Sequence, residues 1–449
     1  MPSHLFPRNF RKDYPLAVRG EGCWIFTEDG KRYLDAFGQA AVVSIGHGVA
    51  SIGHAMARQA EQLSFAHTSQ FRTPVAEKLA QRLLALAPAG MRNGGRVYFT
   101  SGGSEATETA IKLARQFHLE RGLPERFRVI ARRQSYHGST LGAMALSGNV
   151  ARRAPYQPLL SEWGHIASCF CARCELHLKF PDCKLACANE LDLLLSSANW
   201  NSVAAFIFEP VVGATLGAAV PPEGYVQRLA EICREHDILL IADEVMTGMG
   251  RTGRNFAVDH WGVAPDILVA AKGLSSGYAP LGAVLASKKV VDSIAKGTGA
   301  FLHGFTYNAH PLSVAAGREV LRHMKKHDLV RAADSAAPGT PASHLKTALS
   351  TLLDHRAVGD IRGIGLLWGV EFVADKTTKT PFFADLNFAG CVGEAAKKRG
   401  LLVYPMQGSV NGHSGDHLLL APPAVITAEQ IDWAVRALRE AVEEAYQAA

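Results

Sequence analysis

The sequence lacks several features that define whole classes of protein. No apolar run approaches the roughly 20 residues that a bilayer-spanning helix needs, and the first residues, MPSHLFPRNFRKDYP, contain no apolar signal-peptide core. No block of like charge occurs, because the 47 Lys and Arg residues and the 41 Asp and Glu residues are spread along the chain. No internal repeat is visible. We therefore expect a cytoplasmic protein with no membrane contact and no nucleic-acid partner.

The length and composition indicate a folded enzyme rather than a disordered chain. At 449 residues the chain exceeds the usual size of one compact core, so we expect at least two domains. Hydrophobic residues make up 48% and charged residues 20%, which is typical of globular proteins.

Short apolar runs alternate with longer amphipathic segments through the middle of the chain. This alternation predicts βα units around a mainly parallel sheet, and therefore an α/β fold. The clearest predicted strands are 96–99, 204–208 and 238–242, and the segment SGGSE separates the first of them from a predicted helix at 106–119. Glu209 and Asp243 directly follow the other two strands. Because ligands of open α/β sheets bind at the carboxyl ends of strands, these acidic residues mark a candidate site.

Both ends of the chain show a different pattern. WIFTEDGKRYLD predicts a hairpin with an Asp-Gly turn, RGIGLLWGVEF predicts one strand bounded by glycines, and AEQIDWAVRALREAVEEA predicts a closing helix. We therefore expect a large central domain, residues 46–330, and a smaller α+β domain built from residues 1–45 and 331–449.

SGGSEATETAIKLAR combines glycines with the start of a predicted helix. Gly102 and Gly103 would allow a close approach of the backbone to an anion, Ser104 offers a hydroxyl, and the helix start offers free N–H groups. This pattern is typical of a phosphate site. It is equally compatible with a plain turn in which Ser104 is the N-cap residue.

IADEVMTGMGRTG places Asp243 at a strand end, where its carboxylate could hold a proton on a pyridine-type nitrogen. Val245, two residues further on, could press against the face of a ring. An aspartate after a strand is also a common turn former, and Glu209 in FIFEPVVG has the same two interpretations.

Lys272 ends an apolar strand in PDILVAAKGLSSGYAPLGA. Desolvation at such a position would lower the pKa of its amine, which suits a group that forms imines. A lysine whose charged end extends out to solvent is the alternative.

Taken together, the ordered segments resemble one family over nearly the whole chain. SGGSEATETAIKLA, SYHGST, FEPV, DEVMTGMGRTG, AAKGLSSGYAPLGA and HGFTYNAHPLSVAAG resemble the class III (omega) aminotransferases, which use pyridoxal 5'-phosphate (PLP). The resemblance implies fold type I, with a seven-stranded, mainly parallel sheet in the large domain. It also implies a homodimer.

The resemblance also implies a role for each site residue. Lys272 would hold PLP as a Schiff base and act as the general acid and base, and Asp243 would keep the pyridine nitrogen protonated. The remaining residues would bind the cofactor. Gly103 and Ser104 would hold its phosphate, Tyr136 and Val245 its two ring faces, and His137, Glu209 and Met246 would lie around the ring. Thr306 would reach the phosphate in the neighbouring subunit's site.

One departure from the family pattern concerns the substrate. Many pyruvate-using relatives place an arginine shortly before the LxxxPP stretch, where it binds the substrate carboxylate. This chain has Asn411, Gly412 and His413 there instead. An amine or ω-amino acid is therefore the favoured donor, with a 2-oxo acid, pyruvate, as acceptor in a ping-pong reaction.

Two other functions use the same features. An aminomutase, racemase or decarboxylase would use the same cofactor site, and a non-catalytic binding protein could keep the fold. Intact Lys272, Asp243 and Tyr136 argue against the second.

Five of the eight cysteines crowd into CFCARCELHLKFPDCKLAC. They are Cys169, Cys171, Cys174, Cys183 and Cys187. Their spacing matches no standard zinc-finger pattern, so free thiols, disulfides and a structural metal all remain open, and no metal is assigned to the active site.

Overall fold

The computed structural model describes residues 4–197 and 200–449. Its strands are β1 (Ala17–Glu21), β2 (Trp24–Thr27), β3 (Arg32–Asp35), β4 (Arg96–Thr100), β5 (Arg128–Arg132), β6 (His165–Ile166), β7 (Val203–Phe208), β8 (Leu239–Asp243), β9 (Ile267–Ala270), β10 (Gly282–Ala286), β11 (Val358–Ile364), β12 (Leu367–Phe372), β13 (Leu401–Leu402), β14 (Tyr404–Gln407) and β15 (Asp416–Leu420).

The helices lie mainly between the strands of the central region and after them. They are α1 (Gly38–Ala41), α2 (Ala50–Gln62), α3 (Pro74–Leu86), α4 (Ala89–Arg92), α5 (Gly103–Leu119), α6 (Leu141–Leu146), α7 (Val150–Arg153), α8 (Ala186–Leu195), α9 (Tyr225–Glu235), α10 (Lys288–Lys296), α11 (Pro311–Lys326), α12 (Leu329–Ala332), α13 (Pro341–Ser350), α14 (Phe388–Lys398) and α15 (Ala428–Gln447). Within α1, Gln39 and Ala40 have positive φ angles, so this segment is a left-handed turn.

The central sheet has seven strands in the order β4-β10-β9-β8-β7-β5-β6. Strands β5 to β9 pair in parallel, whereas β10 is antiparallel to both of its neighbours, β4 and β9. The predicted α/β fold with a seven-stranded, mainly parallel sheet is therefore confirmed. Because only β10 runs in the opposite direction, the carboxyl ends of β4, β5, β7, β8 and β9 meet at one edge.

Two strands of the sheet show why the sequence predicts them well. Every residue of β7 and of β8 is buried, as expected for parallel strands that are covered by helices on both faces. Such strands are continuous apolar runs, so the predicted and observed boundaries differ by one residue at most.

Two four-stranded sheets are built from the ends of the chain. The first has the order β1-β2-β3-β13 and joins amino-terminal and carboxyl-terminal strands, and the second has the order β11-β12-β15-β14. We propose that both sheets belong to the small domain. Its boundaries at 45/46 and 330/331 stay a prediction.

The predicted hairpin at WIFTEDGKRYLD is confirmed, because β2 and β3 pair antiparallel around Gly30. The prediction of one strand for RGIGLLWGVEF is wrong, since the segment contains the end of β11, a turn and the whole of β12. Gly365 has a φ of 64° in that turn, which reverses the chain inside the segment for which one strand was predicted.

The predicted closing helix is observed as α15. Thr427 and Gln430 form a reciprocal capping box at its start, and eight apolar side chains along it are buried. Within the described ranges, no helix combines the length and the apolar character that crossing a membrane would require.

Candidate active site

A cavity of about 440 Å³ lies at the edge where the carboxyl ends of five strands meet. Each of these strands contributes a predicted residue that lines it. Gly103 follows β4, Tyr136 follows β5, Glu209 follows β7, Asp243 ends β8 and Lys272 follows β9. The other lining residues among those predicted are Ser104, His137, Val245 and Met246.

The helix α5 begins at Gly103, three residues before the predicted start. Its N-cap residue is Gly102, so Ser104 lies in the first turn and is not the cap that the alternative interpretation required. Instead, Glu105 accepts a hydrogen bond from the backbone N–H of Ser101 at 2.8 Å. The first N–H groups of α5 have no acceptor within the helix and lie at the cavity.

Gly103 allows a close approach between α5 and the segment after β8. An added Cβ would lie 3.1 Å from Cγ1 of Val245 and 3.2 Å from its Cγ2. The side chain of Ser104 is held in place, because its Oγ accepts a hydrogen bond from the Ser139 N–H at 3.0 Å. The hydroxyl proton of Ser104 is thus free for an acceptor in the cavity.

Asp243 has a buried side chain with two hydrogen bonds. Its Oδ2 lies 2.7 Å from Nδ1 of His137, and its Oδ1 accepts from the Val245 N–H at 3.1 Å. The Nε2 atom of His137 is buried without a hydrogen-bond partner in the described part of the chain. The family resemblance placed His137 only near the cofactor ring, and its bond to Asp243 had no sequence signal because 106 residues separate the two.

The loop that carries Tyr136 is fixed by Glu209. The Glu209 carboxylate accepts from the Tyr136 N–H at 3.1 Å and from the Gly213 N–H at 2.9 Å. Burial raises the pKa of Glu209, and the nearby Asp243 adds to this effect, while His137 opposes it. Met246 packs on the same segment, because a Cβ on Gly213 would lie 2.4 Å from its Sδ.

Lys272 lies two residues after β9 and has a φ of 41°, an unusual conformation for a residue other than glycine. Its side chain is only partly exposed and lines the cavity. Burial lowers the pKa of its amine to about 8, although Asp243 and Glu209 favour the charged form. Strained backbone at a desolvated amine is typical of functional positions.

Thr306 is exposed in the stretch between α10 and α11 and does not line the cavity of its own chain. Its predicted role in a neighbouring subunit therefore stays a prediction.

Two arginines, Arg251 and Arg362, are committed to partners within the chain. Arg251 donates to the carbonyl oxygens of Leu366, Pro422 and Val43, and Arg362 forms ion pairs with Asp360 and Glu371.

Two arginines near the cavity were missed by the sequence analysis. The side chain of Arg132 is fully buried at the end of β5 and donates to Cys169 Sγ and to the backbone oxygen of Glu209. Arg152 lies over the ring of Tyr136, with 4.7 Å between the guanidinium carbon and the ring centroid. Both contacts depend on the tertiary fold, so neither has a signal in local spacing.

The cysteine-rich segment is separate from this cavity. All eight cysteines are free thiols, and Cys171, Cys174, Cys183 and Cys187 line one small cavity of about 20 Å³. Within residues 4–197 and 200–449, no three His, Cys, Asp or Glu side chains are arranged to hold a metal ion.

Comparisons with known proteins point to one family. The family model described as Aminotransferase class-III matches residues 7–442. The uncharacterized aminotransferase YodT of Bacillus subtilis is 38% identical over 98% of each chain, and an omega-aminotransferase of Caulobacter vibrioides is 33% identical over 96% of this chain and 94% of that one. A solved amine transaminase from an uncultivated Pseudomonas species, in its PLP-bound form, has a TM-score of 0.89 at 35% identity, covering 99% of this chain and 97% of that one.

These similarities span nearly the full length of the chain, and the structural neighbours share its fold type I architecture. The chain belongs to the class III aminotransferases, a PLP-dependent family of transaminases.

Proposed function

We propose that this transaminase moves an amino group from an amine or ω-amino acid to a 2-oxo acid, with pyruvate as acceptor, in a ping-pong reaction at Lys272. The observation that carries the proposal is the lowered pKa of Lys272 in a cavity shared with Asp243 and the start of α5. An amine with a pKa of about 8 has a substantial neutral, nucleophilic fraction near neutral pH. The cytoplasmic location expected from the sequence stays a prediction.

The residues of the cavity fit PLP at each end. The free N–H groups of α5 and the hydroxyl of Ser104 are suited to the phosphate, and the narrow space at Gly103 lets the backbone approach it. The buried carboxylate of Asp243 is suited to a protonated pyridine nitrogen, and His137 orients that carboxylate. Tyr136 and Val245 would contact the two ring faces.

PLP, when bound, supplies an aldehyde that reacts with amines and a ring that withdraws electrons from the substrate carbon. Side chains of the protein hold the cofactor and move the proton. Lys272 Nζ holds the cofactor and, once free, moves a proton to and from the substrate carbon. Glu209 fixes the Tyr136 loop, and together with Met246 it borders the ring. Thr306 would complete the phosphate site of a neighbouring subunit in a homodimer.

The test compares wild type, Lys272→Ala and the control Lys326→Ala, whose side chain is exposed and outside the cavity. Wild type and the control should show the absorbance band of lysine-bound PLP and form alanine from pyruvate and an amine. Lys272→Ala should lose the band and at least about 100-fold of the activity. Full turnover by Lys272→Ala, or alanine formation by none of the three proteins, would contradict the proposal.

A further inference from the structure

Arg152 lies against the cavity-lining Tyr136, and its guanidinium forms no ion pair in the described part of the chain. Among residues 4–197 and 200–449, the recorded polar partner of its guanidinium is a phenol and not a carboxylate. Its one guanidinium hydrogen bond within these residues runs from Nη2 to the hydroxyl of Tyr404, at 3.2 Å. Arginine has five N–H donors, so most of its binding capacity remains available.

Three further arginines described above are already committed to partners. Arg132 donates to Cys169 and to the Glu209 backbone, Arg251 donates to three backbone carbonyls, and Arg362 is paired with two carboxylates. Releasing any of them would leave buried groups unsatisfied. Arg152 is exposed, so it can exchange its single bond to a phenol for a substrate at little cost.

The position of Arg152 connects it to the reacting centre. Its guanidinium covers the ring of Tyr136, which lines the cavity, and its other contact, Tyr404, stacks on Phe37 with ring centroids 5.6 Å apart. Burial has the largest effect on the pKa of Lys272, and the charges of Arg251 and Arg152 also lower it. Arg152 therefore lies within electrostatic reach of the amine.

The segment where an arginine was expected does not supply an alternative. Asn411 is exposed, and its Oδ1 accepts from the N–H groups of His413 and Ser414, so it stabilises its own loop. Neither Asn411 nor His413 lines the cavity; Arg152 does not line it either, but it stacks on Tyr136, which does.

We propose that Arg152 binds the substrate carboxylate, releasing Tyr404 and forming two parallel N–H···O bonds to the 2-oxo acid acceptor while stacked on Tyr136. This inference rests on the proposed function. A planar guanidinium matches the geometry of a carboxylate, and stacking on an aromatic ring holds it in one orientation. The same group would bind the carboxylate of an ω-amino acid donor, whereas an amine without a carboxylate does not need it.

The experiment measures kcat/KM for pyruvate and for butanal, an acceptor without a carboxylate, with the same amine donor. The ratio of the two values does not depend on the amount of active enzyme. Arg152→Gln should lower the ratio by about 10- to 100-fold through a higher KM for pyruvate, and Arg152→Lys should restore part of it. Arg153→Gln, the neighbouring arginine that contacts neither Tyr136 nor Tyr404, is the matched control and should keep the wild-type ratio. Tyr404→Phe removes the phenol that competes for Arg152, so this variant should keep or raise the ratio of the two kcat/KM values.

A second arm replaces the amine by β-alanine, with butanal as acceptor, to test donor carboxylates separately. An equal loss for pyruvate and butanal in Arg152→Gln, or no change in their ratio, would overturn the inference. In that outcome alanine formation by wild type would still support the proposed function. Failure of wild type to form alanine would instead contradict the proposed function itself.

Discussion

Lys272 gives the apoenzyme a dependence of stability on pH. Its pKa is about 8 in the folded state, against 10.5 for a lysine that is fully exposed to water. The unfolded chain therefore binds more protons between these pH values, so the free energy of unfolding rises with pH in that window. Below the folded pKa of about 8 the folded protein bears the full cost of a desolvated amine, and above the exposed pKa of 10.5 this cost is gone.

Replacing Lys272 by Met should therefore stabilise the apoenzyme at pH 7 by roughly 3 kcal/mol and by much less at pH 10. Urea unfolding of the two apoproteins at both pH values measures this difference. Lys326→Met, which alters an exposed lysine, should show no comparable change with pH. A difference between wild type and Lys272→Met that is the same at both pH values would show that the lowered pKa is not the cause.

Among the secondary-structure elements, the start of α5 is the one that depends most on a glycine. Gly103→Ala would bring a methyl group within 3.1–3.2 Å of Val245, whereas a methyl group on Gly102 would meet nothing within 4 Å. We expect Gly103→Ala to destabilise the apoenzyme by about 1–3 kcal/mol and to weaken PLP retention. Gly102→Ala should stay within about 0.5 kcal/mol of wild type.

Thermal unfolding of the two apoproteins, followed by PLP titration, checks this pair of variants. Because both substitutions lie at the same helix start, an equal loss of stability would point to a general effect of alanine there. Only a selective loss in Gly103→Ala fits the contact with Val245.

The elements also show which parts of the fold the sequence can predict. The strands β7 and β8 are continuous apolar runs because both of their faces are buried, so their boundaries are clear in the sequence. The turn between β11 and β12 lies in a stretch with several glycines, so no single glycine marks the reversal in the sequence. Periodicity alone cannot separate one long strand from two short ones there.

In the candidate site, too, some residues have a local sequence signal and others do not. Asp243 and Lys272 were predicted because a polar residue after an apolar strand is a local signal. Arg152 was missed because its contact with Tyr404 spans 252 residues of chain and exists only after folding. The sequence alone therefore predicts groups on the strand ends better than groups that reach the cavity from other segments.

For the whole molecule, the prediction that Thr306 acts in a neighbouring subunit can be tested against a role in its own subunit. Its exposure and its absence from its own cavity lining favour the neighbouring subunit. A hybrid of Lys272→Ala and Thr306→Ala subunits separates the two cases. If Thr306 acts between subunits, the site that keeps Lys272 receives an intact Thr306 and should retain PLP as tightly as one wild-type site.

Equilibrium dialysis of PLP against the purified hybrid, with both parent variants measured alongside, provides the comparison. Thr306→Ala homodimers should lose PLP more readily than the hybrid. Equal loss from the hybrid and from that parent would place Thr306 in its own subunit's site.

The sheet that joins both ends of the chain has a consequence for synthesis on the ribosome. Strand β3 pairs with β13 through Leu34 and Leu401, so its edge has no partner until most of the chain has been made. At a translation rate of about 5–20 residues per second, the time between synthesis of β3 and synthesis of β13 is on the order of 20–70 s. During that time the hairpin of β2 and β3 presents an open edge to other nascent chains. Newly made protein should therefore be most prone to aggregation just before β13 emerges, and slow translation of the late coding region would lengthen that interval.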